Sequence, residues 1–498
     1  MDIFIKQIKP LKVYLDSLDE LIATTNIAFY YWYENADRQP LDTFMPAQAM
    51  EQAYYRTLCD FPLLSGKLVT DSNGRTFVSV EKDDLNMPAY TDTACNVEFD
   101  LIRKSGFNTK LLPTTFDHAR DVPAPPGLIG GRIRLAEAHV IRLGNNSGVC
   151  VFVSIAHCLV DASGFALFMK RWAELARLTV AQNKNGSEDL CERRYIHDRS
   201  FFSQFWDSGT DRLDFLARES MDKGGIVSRW LAWLSPEARG RMLKFLLTLE
   251  RRINCYFHIP KEKIDALRAA TQDHSSGGIR YSTNDILTAA IASLLVQSMR
   301  AVEFDNHKRL LPSALRYIFG EGDEKKEALV TFTASLRPRV GRQDVFDYTG
   351  NMAIMRPVGM PLELVEADPT PKTLAEIATG VREMVNTTDA QYIGQLAHLT
   401  NKTSDGYVRV MMGLASHKYM LAVSNHISFV HYDIDFGNGI PMCVRPAFLA
   451  FPNAAFIMPC HPDRGGYEVA MTLTPRVADK AVQNEYWMGL VDKHDYDV

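Results

Sequence analysis

The segment from Gly131 to Arg177 constrains this chain most. RIRLAEAHVIRL reads as a strand, Gly144-Asn145-Asn146-Ser147-Gly148 carries turn chemistry, and GVCVFVSIAH alternates so that Val149, Val151, Val153 and Ile155 share one face. Directly afterwards Phe165, Phe168, Met169, Trp172, Leu175 and Ala176 recur at helical spacing on one side. An apolar strand running through a short turn into an amphipathic helix needs a mixed architecture in which helices cover a sheet.

The rest of the chain keeps that mixture. A helix is predicted from Pro46 to Cys59, with proline in its first turn, followed by a Pro-broken turn into a strand at FPLLSGKLV. Residues Asp83 to Gly127 are polar and weakly periodic and read as loops with short strands. From Thr179 to Leu234 a polar stretch gives way to aromatic-rich segments and a Lys223-Gly224-Gly225 break, and Ser235-Pro236-Glu237 has the form of a helix start. Further on, NCYFHIP reads as a strand entering the helix KEKIDALRAA, and Ser282-Thr283-Asn284 caps a strongly apolar helix. Leu329 to Leu336 and Tyr419 to Ser424 read as strands, and AAFIMP and YEVAMTL as a hairpin turning at Gly465-Gly466. The fold class is α/β in the broad, mixed α+β sense. The expected organisation is an N-terminal lobe over 1–210, a crossover over 211–250 and a C-terminal lobe over 251–498.

Composition narrows the function. With 498 residues, 55 Lys+Arg and 60 Asp+Glu, the formal net charge is 55 − 60 = −5, which excludes a nucleic-acid partner held by a basic face. No stretch reaches the ~18 consecutive apolar residues of a membrane span. The eight cysteines have no C-x-x-C spacing and read as buried, reduced thiols. The N-terminus lacks the pattern of a secretory signal, and the C-terminus is not an S-K-L tail, so a cytoplasmic protein is expected and the sequons at Asn145 and Asn401 carry no weight.

There is no phosphate loop of the G-x-x-x-x-G-K-[ST] type, no H-E-x-x-H and no G-x-S-x-G. Asp433 and Asp435 form a D-x-D that reads as turn carboxylates, and no metal site is expected. Attention falls on His157-Cys158-Leu159-Val160-Asp161. With 13 histidines, about one such H-x-x-x-D is expected by chance, and a second spans His431 to Asp435. Context separates them. His157 closes the alternating strand and precedes the small residues Ala162-Ser163-Gly164, where a ring on a turn held by strand and helix can face a pocket.

Taken together, the motifs resemble the BAHD acyl-CoA-dependent acyltransferases, in particular fungal members such as the trichothecene acetyltransferases. That family carries H-x-x-x-D-G mid-chain and D-F-G-W-G near the C-terminus, and here Asp435-Phe436-Gly437-Asn438-Gly439 follows His157 in that order. Phe61 to Leu68 resembles Y-P-x-L-A-G-R-L, Asp198-Arg199 the D-R pair, and Tyr281 to Asp285 the S-T-F-D helix start. Leu336 to Arg339 and Tyr348 to Asn351 resemble R-x-R and Y-F-G-N. The chain departs from the pattern at Ala162, at Asn438, and at Ser424-Asn425-His426, where the family has Ser-Trp or Thr-Ser-Trp.

The resemblance implies two chloramphenicol-acetyltransferase-like lobes joined by a crossover, with the active-site channel between them. It implies acyl transfer, acetyl foremost, from acyl-CoA to a small-molecule hydroxyl by direct attack in a ternary complex. No cofactor is tightly bound, acyl-CoA being a co-substrate, and the protein is a monomer. His157 is then the general base, since a neutral imidazole with an unperturbed pKa near ~6.5 suits proton removal at cellular pH. Asp161 steers the histidine turn and Asp435 makes a buried salt bridge with Arg337. Gly437 and Gly439 permit a tight turn, and Ser424 and Asn425 are the candidates for oxyanion donors. Arg280, Ser282, Thr283 and Asn351 are the candidates for the coenzyme side, the alternative for Ser282 and Thr283 being a plain helix cap. Three other functions stay open: N-acylation of an amine such as a polyamine, a condensation-type domain, and a non-catalytic relative.

Overall fold

Gly148–Ala156 is a strand, and it is buried on both faces rather than one. In the computed structural model, residues 7–16, 18–19, 26–72, 75–113, 134–185, 193–203, 252–275, 277–305, 327–389, 392, 417–447 and 453–497 are described. The strands in chain order are β1 (Leu11–Tyr14), β2 (Asn26–Glu34), β3 (Lys67–Thr70), β4 (Thr76–Val80), β5 (Ala89–Ala94), β6 (Ala136–Arg142), β7 (Gly148–Ala156) and β8 (Ile253–Ile259). They continue with β9 (Glu327–Ser335), β10 (Ala353–Pro361), β11 (Met420–Asn425), β12 (Cys443–Pro446), β13 (Ala454–Pro459), β14 (Tyr467–Leu473) and β15 (Lys493–Asp497). The longer helices are α1 (Ala47–Asp60), α2 (Ala162–Asn185), α3 (Lys261–Gln272), α4 (Thr283–Asp305) and α5 (Pro371–Asn386).

Two sheets carry the two lobes. The N-terminal sheet has the order β12-β2-β7-β6-β5 and the C-terminal one β10-β9-β11-β13-β14-β8-β15, while β1-β4-β3 forms a small third sheet. In the N-terminal sheet Phe29, Tyr31 and Tyr33 of β2 join Val149, Val151, Val153 and Ile155 of β7 in one core cluster. Ala28, Tyr30 and Trp32 join Cys150 and Phe152 in a second cluster on the opposite face. With apolar side chains required on both faces, β2 shows no polar alternation, and sequence periodicity passes over it.

Helix α4 is apolar nearly all round because it lies in the core of the C-terminal lobe. Residues Thr283–Phe304 are long and apolar enough to cross a membrane, but 72% of the most apolar window is buried inside the protein.

The simple division into halves needs one correction. Strand β12 lies in the C-terminal half of the sequence yet pairs antiparallel with β2, Cys443 opposite Trp32 and Pro446 opposite Phe29. It covers an edge that β2 would otherwise leave open. The crossover at 211–250, the helix start at Ser235 and the sequon at Asn401 lie outside the described residues. The seven described cysteines are free.

Candidate active site

Strand β7 stops at Ala156, a turn follows, and α2 starts at Ala162. Ala162 is not among the residues with positive φ, so the glycine of the family pattern is not needed there for backbone reasons. Gly164 is the position that cannot change. A Cβ on it would lie 2.1 Å from the Thr349 carbonyl oxygen, so the first turn of α2 sits directly on the segment preceding β10. Gly164→Ala is therefore expected to destabilise the fold by about 1–3 kcal/mol, as overpacking does, and to displace the His157 turn. The check is a urea melt beside an activity assay.

Asp161 is buried and forms an ion pair with Arg337. Its Oδ1 accepts from the Gly164 N–H at 2.9 Å and its Oδ2 from the Met352 N–H at 3.0 Å. The Arg337 guanidinium also donates to the carbonyls of Val345 at 3.2 Å, and of Tyr348 and Gly350 at 2.9 Å. This corrects the pairing expected from the sequence: Arg337 serves Asp161, not Asp435. The reason is placement, since Asp435 is only half-buried, on a loop docked against the N-terminal lobe, with Arg177 donating to its carbonyl.

Beneath the histidine turn lies a second polar layer. Asn351 is fully buried, and its Nδ2 donates to the His157 carbonyl at 2.9 Å and to Asp19 Oδ1 at 2.8 Å. Arg199 donates to the Leu159 carbonyl at 2.7 Å, and its Nε stands 2.8 Å from Asp19 Oδ2. Asn351 thus supports the turn from within and has no surface left for a coenzyme, a second correction. Arg199 belongs to the D-R pair already visible in the sequence, but the amide of Asn351 acquires its role only when the segment before β10 backs onto β7.

The His157 ring is half-buried, with Nδ1 fully enclosed. Burial pushes its pKa below the ordinary 6.5, against the opposing pull of backbone groups and of the Asp161 charge. The imidazole is neutral at physiological pH and able to accept a proton. The neighbouring Cys158 is buried and its thiol is pushed up to about 12 by that burial, which removes it as a nucleophile.

Ser424 and Asn425 end β11 and are half-buried. The ladder between β11 and β9 ends at Val423 opposite Phe332, whereas the ladder with β13 continues to Asn425 opposite Ile457. The two residues thus sit where β11 outruns its ladder with β9. Asn425 Nδ2 donates to Asn284 Oδ1 at 2.9 Å, and its Oδ1 accepts from the Ile427 N–H at 2.8 Å, so its carboxamide is largely committed. Ser424 Oγ contacts His426 Nε2 at 3.2 Å.

The D-F-G-N-G loop is architectural. Asp435 Oδ1 accepts from the N–H groups of Gly437 at 2.7 Å and Gly439 at 2.9 Å, and both glycines have positive φ. Phe436 packs edge-on against Trp172 and Tyr33, and Asn438 Oδ1 accepts from the Met45 N–H at 2.8 Å. Asp435→Ala is expected to cost about 0.5–1.5 kcal/mol, the net worth of ordinary hydrogen bonds, because both glycine N–H groups are exposed and water can replace the lost acceptor. Asp435→Asn, which keeps an acceptor oxygen, should cost less. Thermal melts of the pair check this.

Residues 6–195 and 318–487 match the family model described as "Transferase family". The chain belongs to the BAHD acyltransferases. It is 24% identical over 473 residues to putrescine hydroxycinnamoyltransferase 1 of Oryza sativa subsp. japonica, covering 93% of this chain and 92% of that one. In fold it is similar to F. sporotrichioides TRI101 complexed with coenzyme A and T-2, with TM-score 0.67, 14% identity, and 98% and 100% of the two chains covered. Vinorine synthase is similar as well, with TM-score 0.61, 16% identity, and 96% and 94% covered. The two-lobed fold and the assignment as an acyl-CoA acyltransferase follow from the family.

The candidates that the sequence offered for the coenzyme separate in this BAHD enzyme. Ser282 closes a helix cap: its N–H and Oγ donate to Asp285 Oδ2 at 2.7 and 2.9 Å, and its Oγ accepts from Arg382 at 2.6 Å. Its hydroxyl is spent, so the plain cap describes Ser282. Thr283, half-buried, opens α4. Arg280 is exposed and, with Arg268, Gln272 and Tyr281, lines an open cavity of about 450 Å³. The sequence reading gave no site role to Tyr31, His426 or His431; His426 meets Ser424, and His431 and Tyr31 follow behind it in turn.

Proposed function

We propose that the protein transfers an acyl group, acetyl foremost, from its coenzyme A thioester to a hydroxyl of a small-molecule acceptor. His157 takes the acceptor's proton as the oxygen attacks the thioester carbonyl, and coenzyme A thiolate leaves directly, with no acyl-enzyme. Ser424 donates to the oxyanion that develops, with Asn425 holding the end of β11 in place. The observation that carries this reading is a neutral, half-buried imidazole on a turn fixed from below by Asp161, Arg337 and Asn351. The T-2 complex of the TRI101 neighbour favours a hydroxyl acceptor, whereas the putrescine enzyme from rice keeps an amine acceptor as the second reading.

Thiol release from acetyl-CoA and a hydroxycinnamoyl-CoA, measured with T-2, other alcohols and putrescine, tests both. Release dependent on an alcohol and lost in His157→Ala is expected. Release with putrescine alone favours the amine reading, and release that persists in His157→Ala overturns the mechanism.

A further inference from the structure

Four side chains form one line, two of them where the chain departs from the family's Ser-Trp pattern. The Tyr31 hydroxyl meets His431 Nδ1 at 3.1 Å, His431 Nε2 meets His426 Nδ1 at 3.4 Å, and His426 Nε2 meets Ser424 Oγ at 3.2 Å. Tyr31, His426 and His431 are buried, and Phe29, Phe429 and Phe456 pack around the two rings. The line lies within electrostatic reach of the base, since His157 adds to the burial and the His431 neighbour that hold the His426 pKa down. Burial pushes His431 down to about 3 and His426 well below 6.5, so both rings are neutral.

A neutral imidazole has one N–H and one lone pair, so such a line has only two consistent polarities. In one, Tyr31 donates to His431, His431 Nε2–H to His426, and His426 Nε2–H to Ser424, which leaves the Ser424 proton free to point outward. In the other every bond reverses, Ser424 spends its proton on His426, and the Tyr31 proton needs a further acceptor. Tyr31 has no other hydrogen-bond partner among the described residues and is 1% exposed. The reversed polarity strands a buried O–H, which folded proteins avoid.

We infer that Tyr31, His431 and His426 are positioning residues that lock the Ser424 hydroxyl as an outward donor aimed at the reacting carbonyl. This rests on the reading of Ser424 as the oxyanion donor. No proton is transferred along the line. Its bonds strengthen together as negative charge builds beyond Ser424, and it needs no reorganisation when that charge appears.

The tests are tautomer and kinetics. Nitrogen NMR of the histidine rings of the full chain should show both His426 and His431 with hydrogen on Nε2; hydrogen on Nδ1 in both overturns the inference. Turnover is read as thiol release from acetyl-CoA, with water as acceptor where no alcohol is faster. Ser424→Ala should lose about 10²-fold in kcat, as oxyanion donors do, with KM little changed. Tyr31→Phe, which frees the polarity, should lose several-fold, and Tyr31→Phe with Ser424→Ala should be no worse than Ser424→Ala alone. His426→Gln, which keeps a donor toward Ser424, should retain more activity than the similar-sized His426→Met, so a fold-sensitive Tyr31→Phe does not leave the question open. Wild-type turnover in Ser424→Ala sinks the oxyanion reading itself. An impaired Ser424→Ala with fully additive Tyr31→Phe, or His426→Gln no better than His426→Met, sinks the line alone.

Discussion

His157→Ala is expected to lower turnover by about 10²-fold or more, the scale at which a positioned base contributes, while the melting curve stays close to that of the parent. The two readouts separate because the turn is held by backbone contacts, the His157 carbonyl to Asn351 and the Leu159 carbonyl to Arg199, and not by the imidazole. The pH profile carries the same signature. A base works only when unprotonated, and burial lowers the pKa of His157 below 6.5. Protonation therefore sets in at lower pH than for a free imidazole, and the acid limb of kcat/KM should fall below pH 6.5. An acid limb above that value, or a variant with parental turnover, would remove His157 from the chemistry.

Arg337→Ala should have the largest effect on stability. It strips a buried carboxylate, Asp161, of its counter-charge and leaves the carbonyls of Val345, Tyr348 and Gly350 without their donor. Breaking one side of a buried pair costs about 3–5 kcal/mol. Arg337→Lys should recover little of it, because a single ammonium cannot reproduce the planar fork that serves Asp161 and three carbonyls. Urea denaturation gives the number, and a loss under about 0.5 kcal/mol, the range of ordinary surface substitutions, would contradict the assignment. Activity should fall as well, since the pair joins the histidine turn to the C-terminal lobe.

Much of the site could be read before any coordinates. The alternation of Val149 to Ile155, the turn at Gly144 to Gly148 and the apolar stripe from Phe165 to Ala176 are local signals, and the strand–turn–helix around His157 is there, the helix running on past that stripe to Asn185. The hairpin of β13 and β14 was equally visible, with positive φ at Gly465 and Gly466 between the strands. What escaped depends on distant partners. Arg337 and Asp161 are 176 positions apart, and from sequence Asp435 is as good a partner for the guanidinium. Asn351 resembles a coenzyme ligand until burial shows its amide turned inward. Strand β2 hides because both its faces are core, and Tyr31 and His431 are neighbours only after 400 positions of chain have folded around them.

The pairing of Cys443 with Trp32 also bears on how the chain is made. As synthesis proceeds from the N-terminus, β7 and β6 can pair with β2 early, but the outer side of β2 waits for a strand whose Cys443 lies 443 − 32 = 411 positions beyond its partner Trp32. Until then a long aromatic strand presents an uncovered row of N–H and C=O groups, a template for pairing with other chains. Fragments ending before residue 443 should accordingly aggregate.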